Sequence, residues 1–554
     1  KFASVADKEN LEATVVCEIT EDPRLVMHWG GKTIVDISRA FLDTNGVAQH
    51  ATVHVKAVEG ESVFNKVPEE VENAASMEEA WVKNLARLNV CSQKGLVERF
   101  DSTIGRGTVQ MPFGGSRQMT PSEAMVARTP VLEGTTTAAS VMSHGYNPEV
   151  ACWSPFHGGM YAVIQSLVKA VAAGANPDTA RLTMQEYFQK MNEASDWGLP
   201  FAALLGANTV LENMEVPAIG GKDSMSGTFM DMNVPPTLVS FAVDVIDGDK
   251  SVSPELKEAG DSVVFLSTPM EEGEVADFKA LRENLRRVHK LMLEGKIRAA
   301  ASVEEGGIAA ALTRMCLGNG KGFSFLKPFP HKEALFMLQP GGMLLELAED
   351  APCDTVLEGL EYMPLGTVTD DGKITINDTV LDLADLEKTY TQPLDDVFPA
   401  KAPASPVPED MDQPLFQLEL PLTAPVTLAK PRVFIPVFPG INCEYDSARA
   451  FQAAGAETDT FVIRNLTAQA IEDSVEAMVK GISNSQIIML PGGFSAGDEP
   501  DGSGKFIATM FRNPRIAEAV NELLQNRDGL VLGICNGFQA LFKLGLAPSG
   551  EIRP

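Results

Sequence analysis

The hydrophobic pattern changes its period several times along the chain, and each change marks a boundary. Residues 432–554 read most cleanly. Aliphatic runs at 432–437, 459–463, 486–490 and 530–534 are short and nearly continuous, as in strands covered on both faces. Between them, at 444–454, 467–480 and 514–525, apolar residues recur every three or four positions, and another helix starts at Asn536. Strands alternating with helices predict a doubly wound parallel sheet. Upstream the pattern is mixed. Strands are predicted at 14–19 and 25–29, with a turn at Asp43-Thr44-Asn45-Gly46. Residues 58–100 read as polar helices that expose Glu78, Glu79, Lys83 and Arg87. Helices are predicted at 160–173, 183–194, 275–294 and 308–317, and strands at 216–219, 237–246 and 261–266, with further short strands to about 383.

From 391 to 431 prolines dominate: Pro393, Pro399, Pro403, Pro406, Pro408, Pro414, Pro421, Pro425 and Pro431. Proline donates no ladder hydrogen bond and stiffens the chain, so this stretch is expected to be a connector. The fold class is α/β and α+β multidomain. Its parts are a segment over 1–57 that reads as the end of a domain, a domain over 58–247, an α+β domain over 248–390, the connector 391–431, and the α/β domain 432–554.

Length supports this division, because 554 residues are too many for one core. No run of eighteen apolar residues occurs, so no membrane span is expected, and residues 1–10 lack the apolar core of a signal peptide. The missing initiator methionine suggests a chain that starts inside a longer one. The formal charge of -30 argues against nucleic acid or an anionic membrane as a partner. It also means that a phosphate-bearing substrate needs a local answer: Mg²⁺, a lysine, or backbone N–H groups at a helix start. Seven scattered cysteines form no CxxC pair, which argues against zinc and redox motifs and for a reducing cytoplasm.

Gly533-Ile534-Cys535-Asn536-Gly537 carries the most chemistry. A strand ends at Ile534 and a helix begins at Asn536, the setting of a nucleophile elbow. Glycines flank the cysteine because the turn is tight, and the partial positive charge of a helix start favours a thiolate. Attack on a glutamine amide would give a thioester and ammonia. Pro491-Gly492-Gly493-Phe494-Ser495 follows the neighbouring strand, at the carboxyl end where such sheets bind ligands. Glycines there let backbone N–H groups face a reacting carbonyl oxygen. Phe438-Pro439-Gly440-Ile441-Asn442-Cys443-Glu444 follows the first strand in the same way. A second candidate is Gly220-Gly221-Lys222-Asp223-Ser224-Met225-Ser226-Gly227. It lacks the spacing of a Walker A loop, since Val216 and Asp223 occupy two of the required positions. Its glycines still expose N–H groups, Lys222 offers a cation, Asp223 is the candidate ligand for Mg²⁺, and Ser224 can bond a phosphate oxygen.

PGGFSAGD, GICNGFQALFKLG and FPGINCEYDSARAF closely resemble the class I glutaminase domain of the phosphoribosylformylglycinamidine synthase family, large single-chain form. GKDSMS resembles the second of that family's two ATP-binding halves, which share the fold of aminoimidazole ribonucleotide synthetase. EITEDPRLVMHWGGKTIVDISRAFLDTNG resembles the tail of the first half. The resemblance implies an aminoimidazole-ribonucleotide-synthetase-like half followed by a partial class I glutaminase. It implies Cys535 as nucleophile, Gly493 and Phe494 in the oxyanion hole, and Gly221, Lys222 and Ser224 contacting ATP, metal and ribonucleotide. The implied reaction is ATP-dependent amidation of formylglycinamide ribonucleotide with ammonia from glutamine, a purine-biosynthetic ligase step in the cytoplasm with ATP and Mg²⁺ as cofactors.

The chain departs from the family in three places. The family's histidine and glutamate partners of the cysteine lie well downstream, whereas the nineteen residues after Cys535 hold no histidine. Most of the first synthetase half has no counterpart. Both missing segments, the first half and the glutaminase end, are therefore expected partners. Some members bind a structural nucleotide through an acid–Arg–Ser–Asp–Gly–Gly run. Here it reads Ser302-Val303-Glu304-Glu305-Gly306-Gly307, with Ser302 in place of the magnesium-binding acid, so that nucleotide is not expected. His144 and His157 are expected to be structural. Two other readings stay open: a different glutamine-dependent synthetase, and an inert nucleotide-binding scaffold.

Overall fold

The computed structural model describes all residues except 45–49, 101–102, 104–106, 132–133, 330–334, 402–427, 496–503 and 554. The chain divides into two compact units, one made of 1–48 with 407–554 and the other of 49–406.

The larger unit is built on two large sheets, with two short two-stranded ones beside them among the described residues. The first has six strands in the order Thr108–Gln110, Met125–Arg128, Ala138–Gly145, Thr237–Asp247, Arg181–Tyr187 and Ala218–Lys222. All its pairings are antiparallel except the last, which is parallel. The helix Pro155–Ala172 lies across it with Met160, Val163, Ile164, Leu167 and Val168 fully buried. That helix packs closely on the helix Ala194–Met214. A Cβ on Gly159 would lie 2.1 Å from the Ala203 carbonyl oxygen, and one on Gly206 would lie 1.8 Å from that of Phe156. The second sheet has seven strands: Ile297–Ser302, Met343–Leu347, Ser262–Leu266, Tyr362–Thr369, Gly322–Phe325, Lys373–Ile376 and Thr379–Asp382. The amphipathic helix Phe278–Leu293 buries Leu281, Leu285, Val288 and Leu291.

The smaller unit carries four parallel strands in the order Glu457–Val462, Arg432–Val437, Ile487–Leu490 and Leu530–Gly533. The helices Glu444–Ala453, Ala468–Asn484, Pro514–Asn526 and Asn536–Leu544 alternate with them. Residues 1–48 contribute the helix Phe2–Lys8 and a hairpin of Arg24–Trp29 with Lys32–Ser38. Asp7 of that helix pairs with Arg464 at 2.9 Å.

Several predicted elements need correction. Residues 14–19 form no strand. Val15, Val16 and Ile19 are almost fully exposed, and β-branched residues make no strand without a partner to pair with. Residues 183–194 are not a helix. The strand Arg181–Tyr187 occupies the first part of the segment, because pairing with Thr237–Asp247 outweighs the helix preference of Met184, Gln185 and Glu186. The sequence pattern predicts no helix at 194–214, where the structure has one. Gly198, Pro200 and Gly206 look like breakers, yet Gly206 is where the neighbouring helix backbone touches. The strand expected at 216–219 is Ala218–Lys222, and the expected turn at 43–46 begins as the end of the helix Arg39–Thr44, with Asn45 and Gly46 outside the described residues. Of the proline-rich stretch, 402–427 likewise lies outside. Its beginning is docked: a Cβ on Gly95 would meet the Phe398 carbonyl oxygen at 1.7 Å, and Arg99 stands over the Phe398 ring.

Candidate functional site

The elbow forms because the edge strand Leu530–Gly533 pairs in parallel with Ile487–Leu490, ending with Gly533 beside Leu490. The Ile534 N–H extends the ladder by donating to Leu490 O at 3.1 Å. The next residue, Cys535, turns sharply, with φ 51 and ψ −110, and the helix Asn536–Leu544 starts directly after it. This is a conformation few side-chain-bearing residues adopt. It leaves the cysteine exposed. The flanking glycines have a steric reason. A Cβ on Gly537 would lie 2.1 Å from Leu490 O, and one on Gly533 would lie 2.7 Å from the Gly537 carbonyl carbon.

Loops from the carboxyl ends of three strands meet here. A Cβ on Gly492 would stand 3.3 Å from Cys535 Cβ and 3.7 Å from Cys443 Sγ, so the Pro491-Gly492-Gly493 turn lies against both thiols. Gly493 has φ +136 and bridges to Ile441. The Phe494 N–H donates to Gly440 O at 2.8 Å, which commits it to the loop after the first strand. Ser495 N–H donates to the buried Asn536 Oδ1 at 3.3 Å and ties the turn to the helix start. The Cys443 thiol is pushed up by burial, then by the charges of Asp446, Glu444 and Cys535. Asn536, the residue directly after the nucleophile, starts the helix and presents its backbone N–H at the elbow in addition to Gly493 and Phe494. The elbow pattern itself is the signal for that donor.

In the other unit, Gly221 and Lys222 belong to the edge strand Ala218–Lys222, all of it exposed. Lys222 Nζ donates to Asp223 O at 2.8 Å, and the Ser224 and Ser226 hydroxyls are 3.3 Å apart. Gly220, Gly221, Lys222 and Asp223 line a groove of about 740 Å³, whose other wall is Trp197, Phe201, Leu204 and Leu205 from the helix Ala194–Met214. Glu186, absent from the sequence-derived site, lines it too. Only 6% of this residue is exposed, and its carboxyl is pushed up to about 7 by burial and then by the Asp223 charge. Its Oε1 has no hydrogen-bond partner among the described residues. Across the ladder Asp223 stands beside Glu186, whereas Lys222 pairs with Gln185 and so belongs to the other face of the sheet, and the rest of the groove is mainly apolar, with Met184, Leu211 and Met225.

The remaining sequence candidates fall into structural roles. His157 is held through both ring nitrogens, with Nδ1 2.7 Å from Ser154 Oγ and Nε2 2.8 Å from Gly273 O. Ser302 Oγ donates to Glu123 at 2.6 Å, and Lys169 pairs with Glu304 at 2.6 Å. The same stretch, with Ser302, Val303, Glu304 and Glu305, lines a cavity of about 310 Å³. No helix among the described residues is long and apolar enough to cross a membrane.

Residues 253–379 match the AIR synthase related protein C-terminal domain, and residues 430–554 match the CobB/CobQ-like glutamine amidotransferase domain. These matches define a chain that joins an AIR-synthase-related domain to a glutamine amidotransferase domain. The chain is 24% identical over 408 residues to phosphoribosylformylglycinamidine synthase subunit PurL of Thermoplasma acidophilum, covering 70% of this chain and 52% of the relative. It is 43% identical over 116 residues to subunit PurQ of Methanococcus maripaludis, covering 21% of this chain and 39% of the relative. One polypeptide thus carries a part similar to PurL and a part similar to PurQ. It spans about half the length of the PurL relatives it matches. Among solved structures, Thermotoga maritima PurL complexed with ATP aligns at a TM-score of 0.43 with 18% identity, over 64% of this chain and 50% of that one. The same organism's PurL complexed with FGAR aligns at 0.44 with 14% identity, over 58% and 55%.

Proposed function

We propose that this chain carries the glutamine-cleaving nucleophile and one nucleotide-binding loop of an enzyme that converts formylglycinamide ribonucleotide to its amidine in the cytoplasm. The chemistry divides naturally between two sites. An amide oxygen is a poor leaving group, and phosphorylation by ATP makes it a good one. Ammonia then displaces phosphate. Ammonia is mostly protonated at neutral pH, so it is best made inside the protein from glutamine.

At the first site, Cys535 attacks the glutamine amide and forms a thioester. The backbone N–H groups of Gly493 and Asn536 receive the developing oxyanion, with Gly492 leaving room for the substrate beside the sulfur. Phe494 serves this site by holding Gly493 in place through its bond to Gly440. At the second site, Gly221, Lys222 and Ser224 bind phosphate, and Asp223 helps hold Mg²⁺. The cation would neutralise phosphate charge there.

The observation that carries the reading is the strained, exposed Cys535 at the strand–helix elbow, packed against the glycine turn. An electrophilic glutamine analogue followed by peptide mass spectrometry tests it. Label is expected on Cys535 alone, with protection by glutamine. Cys17 and Cys152 are also exposed and serve as internal controls. Equal, unprotected labelling of all three would overturn the assignment.

A further inference from the structure

A second thiol stands beside the elbow, and the sheet explains how it comes to be there. Arg432–Val437 and Leu530–Gly533 flank the strand Ile487–Leu490 on either side. The loop after the first leads to Cys443, the second ends at Cys535, and the middle strand leads into Gly492. Strands two apart in a sheet are separated by roughly 10 Å. Here the loops bend inward over the glycine. A Cβ on Gly492 would stand 3.3 Å from Cys535 Cβ and 3.7 Å from Cys443 Sγ. Those two distances leave at most about 7 Å between Cys443 Sγ and Cys535 Cβ, within a rotamer change and a small loop shift of disulfide reach. The place that a side chain at 492 would fill adjoins both cysteines, and glycine leaves it open.

The two sulfurs differ in what holds them. Cys535 is exposed, and Cys443 is half-buried; both are free thiols. Cys443 occupies the residue before the helix Glu444–Ala453, yet its side chain makes no capping bond there. Its Sγ donates only to the exposed Asn442 side chain, at 3.3 Å, and a thiol is a weak donor. Burial and the neighbouring acids push the Cys443 thiol up, so it keeps its proton and Cys535 meets an oxidant first. Cys91, Cys152, Cys316 and Cys353 belong to the other unit. An exposed sulfur nucleophilic enough to open an amide also attacks a peroxide, and the sulfenic acid that results condenses with a nearby thiol.

We propose that Cys535 is a site of reversible oxidation by hydroperoxides and that Cys443 is its resolving partner, the two closing as a disulfide across Gly492. This rests on the proposed role of Cys535 as nucleophile. The Cys535 sulfur attacks one peroxide oxygen, the O–O bond breaks, and the second oxygen leaves as water or an alcohol. Cys443 Sγ then attacks the sulfenic sulfur of Cys535. The S–O bond breaks, and hydroxide departs with the Cys443 proton as water. Two thiols have given two electrons to the peroxide. A dithiol reverses the step by exchange and takes up the disulfide itself. While the disulfide stands, no sulfur is free to attack glutamine, and the nucleophile is shielded from irreversible oxidation to the sulfinic acid.

Treating the reduced full chain with hydrogen peroxide, blocking free thiols and mapping peptides without reduction tests the pair. A peptide joining Cys443 to Cys535 is expected. Labelling of Cys535 by the electrophilic glutamine analogue should be lost in the oxidised chain and return after dithiothreitol. Reduced Cys443→Ser should take the label as the wild type does. After peroxide its labelling should not return, because Cys535 ends as the sulfinic acid. If that variant fails to fold, the wild-type peptide map and the recovery of label decide the matter. Accumulation of sulfinic acid on Cys535 in wild type and variant alike would overturn the inference and leave the nucleophile reading intact. So would a disulfide from Cys535 to Cys17 or to a second chain. A reduced wild-type chain that takes no label would remove both.

Discussion

Replacing Cys535 by glycine and by alanine separates backbone strain from the loss of the thiol. At φ 51 and ψ −110, any residue with a Cβ is strained. Such conformations carry about 1–3 kcal/mol each. Glycine escapes that strain but loses about 0.5–1 kcal/mol more in conformational entropy on folding. The difference predicts that Cys535→Gly is about 1 kcal/mol more stable than Cys535→Ala. For a unit of this size, that corresponds to a midpoint shift of about 3 °C. Scanning calorimetry gives the shift. Hydrogen exchange at the amides of Ile487–Leu490 and Leu530–Gly533 assigns it to the right unit. An alanine variant as stable as the glycine variant would show that the bend is relaxed. The nucleophile would then be held out by something other than a strained turn.

Three further outcomes are expected. Gly537→Ala places a methyl 2.1 Å from Leu490 O, which must push the helix start away. Labelling of Cys535 by a glutamine analogue should slow by about 10²-fold, the effect of misplacing a reactive group by about 1 Å, and an unchanged rate would refute the steric argument. Lys169→Met strands Glu304 beside Glu123, which burial already pushes up, and should destabilise the larger unit by about 3–5 kcal/mol in urea melts. Glu346 is fully buried, accepts the backbone N–H groups of Lys257 and Glu258, and is pushed up to about 7, chiefly by burial. Its folded state holds the proton more tightly than the unfolded chain. Its contribution is therefore complete below the unfolded value near 4.5 and is lost as pH rises to about 7. Glu346→Gln should gain stability relative to the wild type between pH 5 and 8, by up to roughly 3 kcal/mol, whereas parallel stability–pH curves would refute this.

Much of this protein is written in local sequence. The parallel sheet of residues 432–554, its elbow and its glycine turns were legible because each depends on short-range rules. A buried strand reads as a continuous apolar run, and a tight bend needs glycine on either side of the nucleophile. Tertiary structure decided the rest. Residues 183–187 became a strand only because Thr237–Asp247 lies alongside to pair with it. Gly206 reads as a break in a helix, and it is the contact point for another one. The adjacency of Glu186 and Asp223 has no sequence signal, since only the register of two strands makes them neighbours. Local chemistry determined which residues can react or bend. Long-range pairing determined which of them meet.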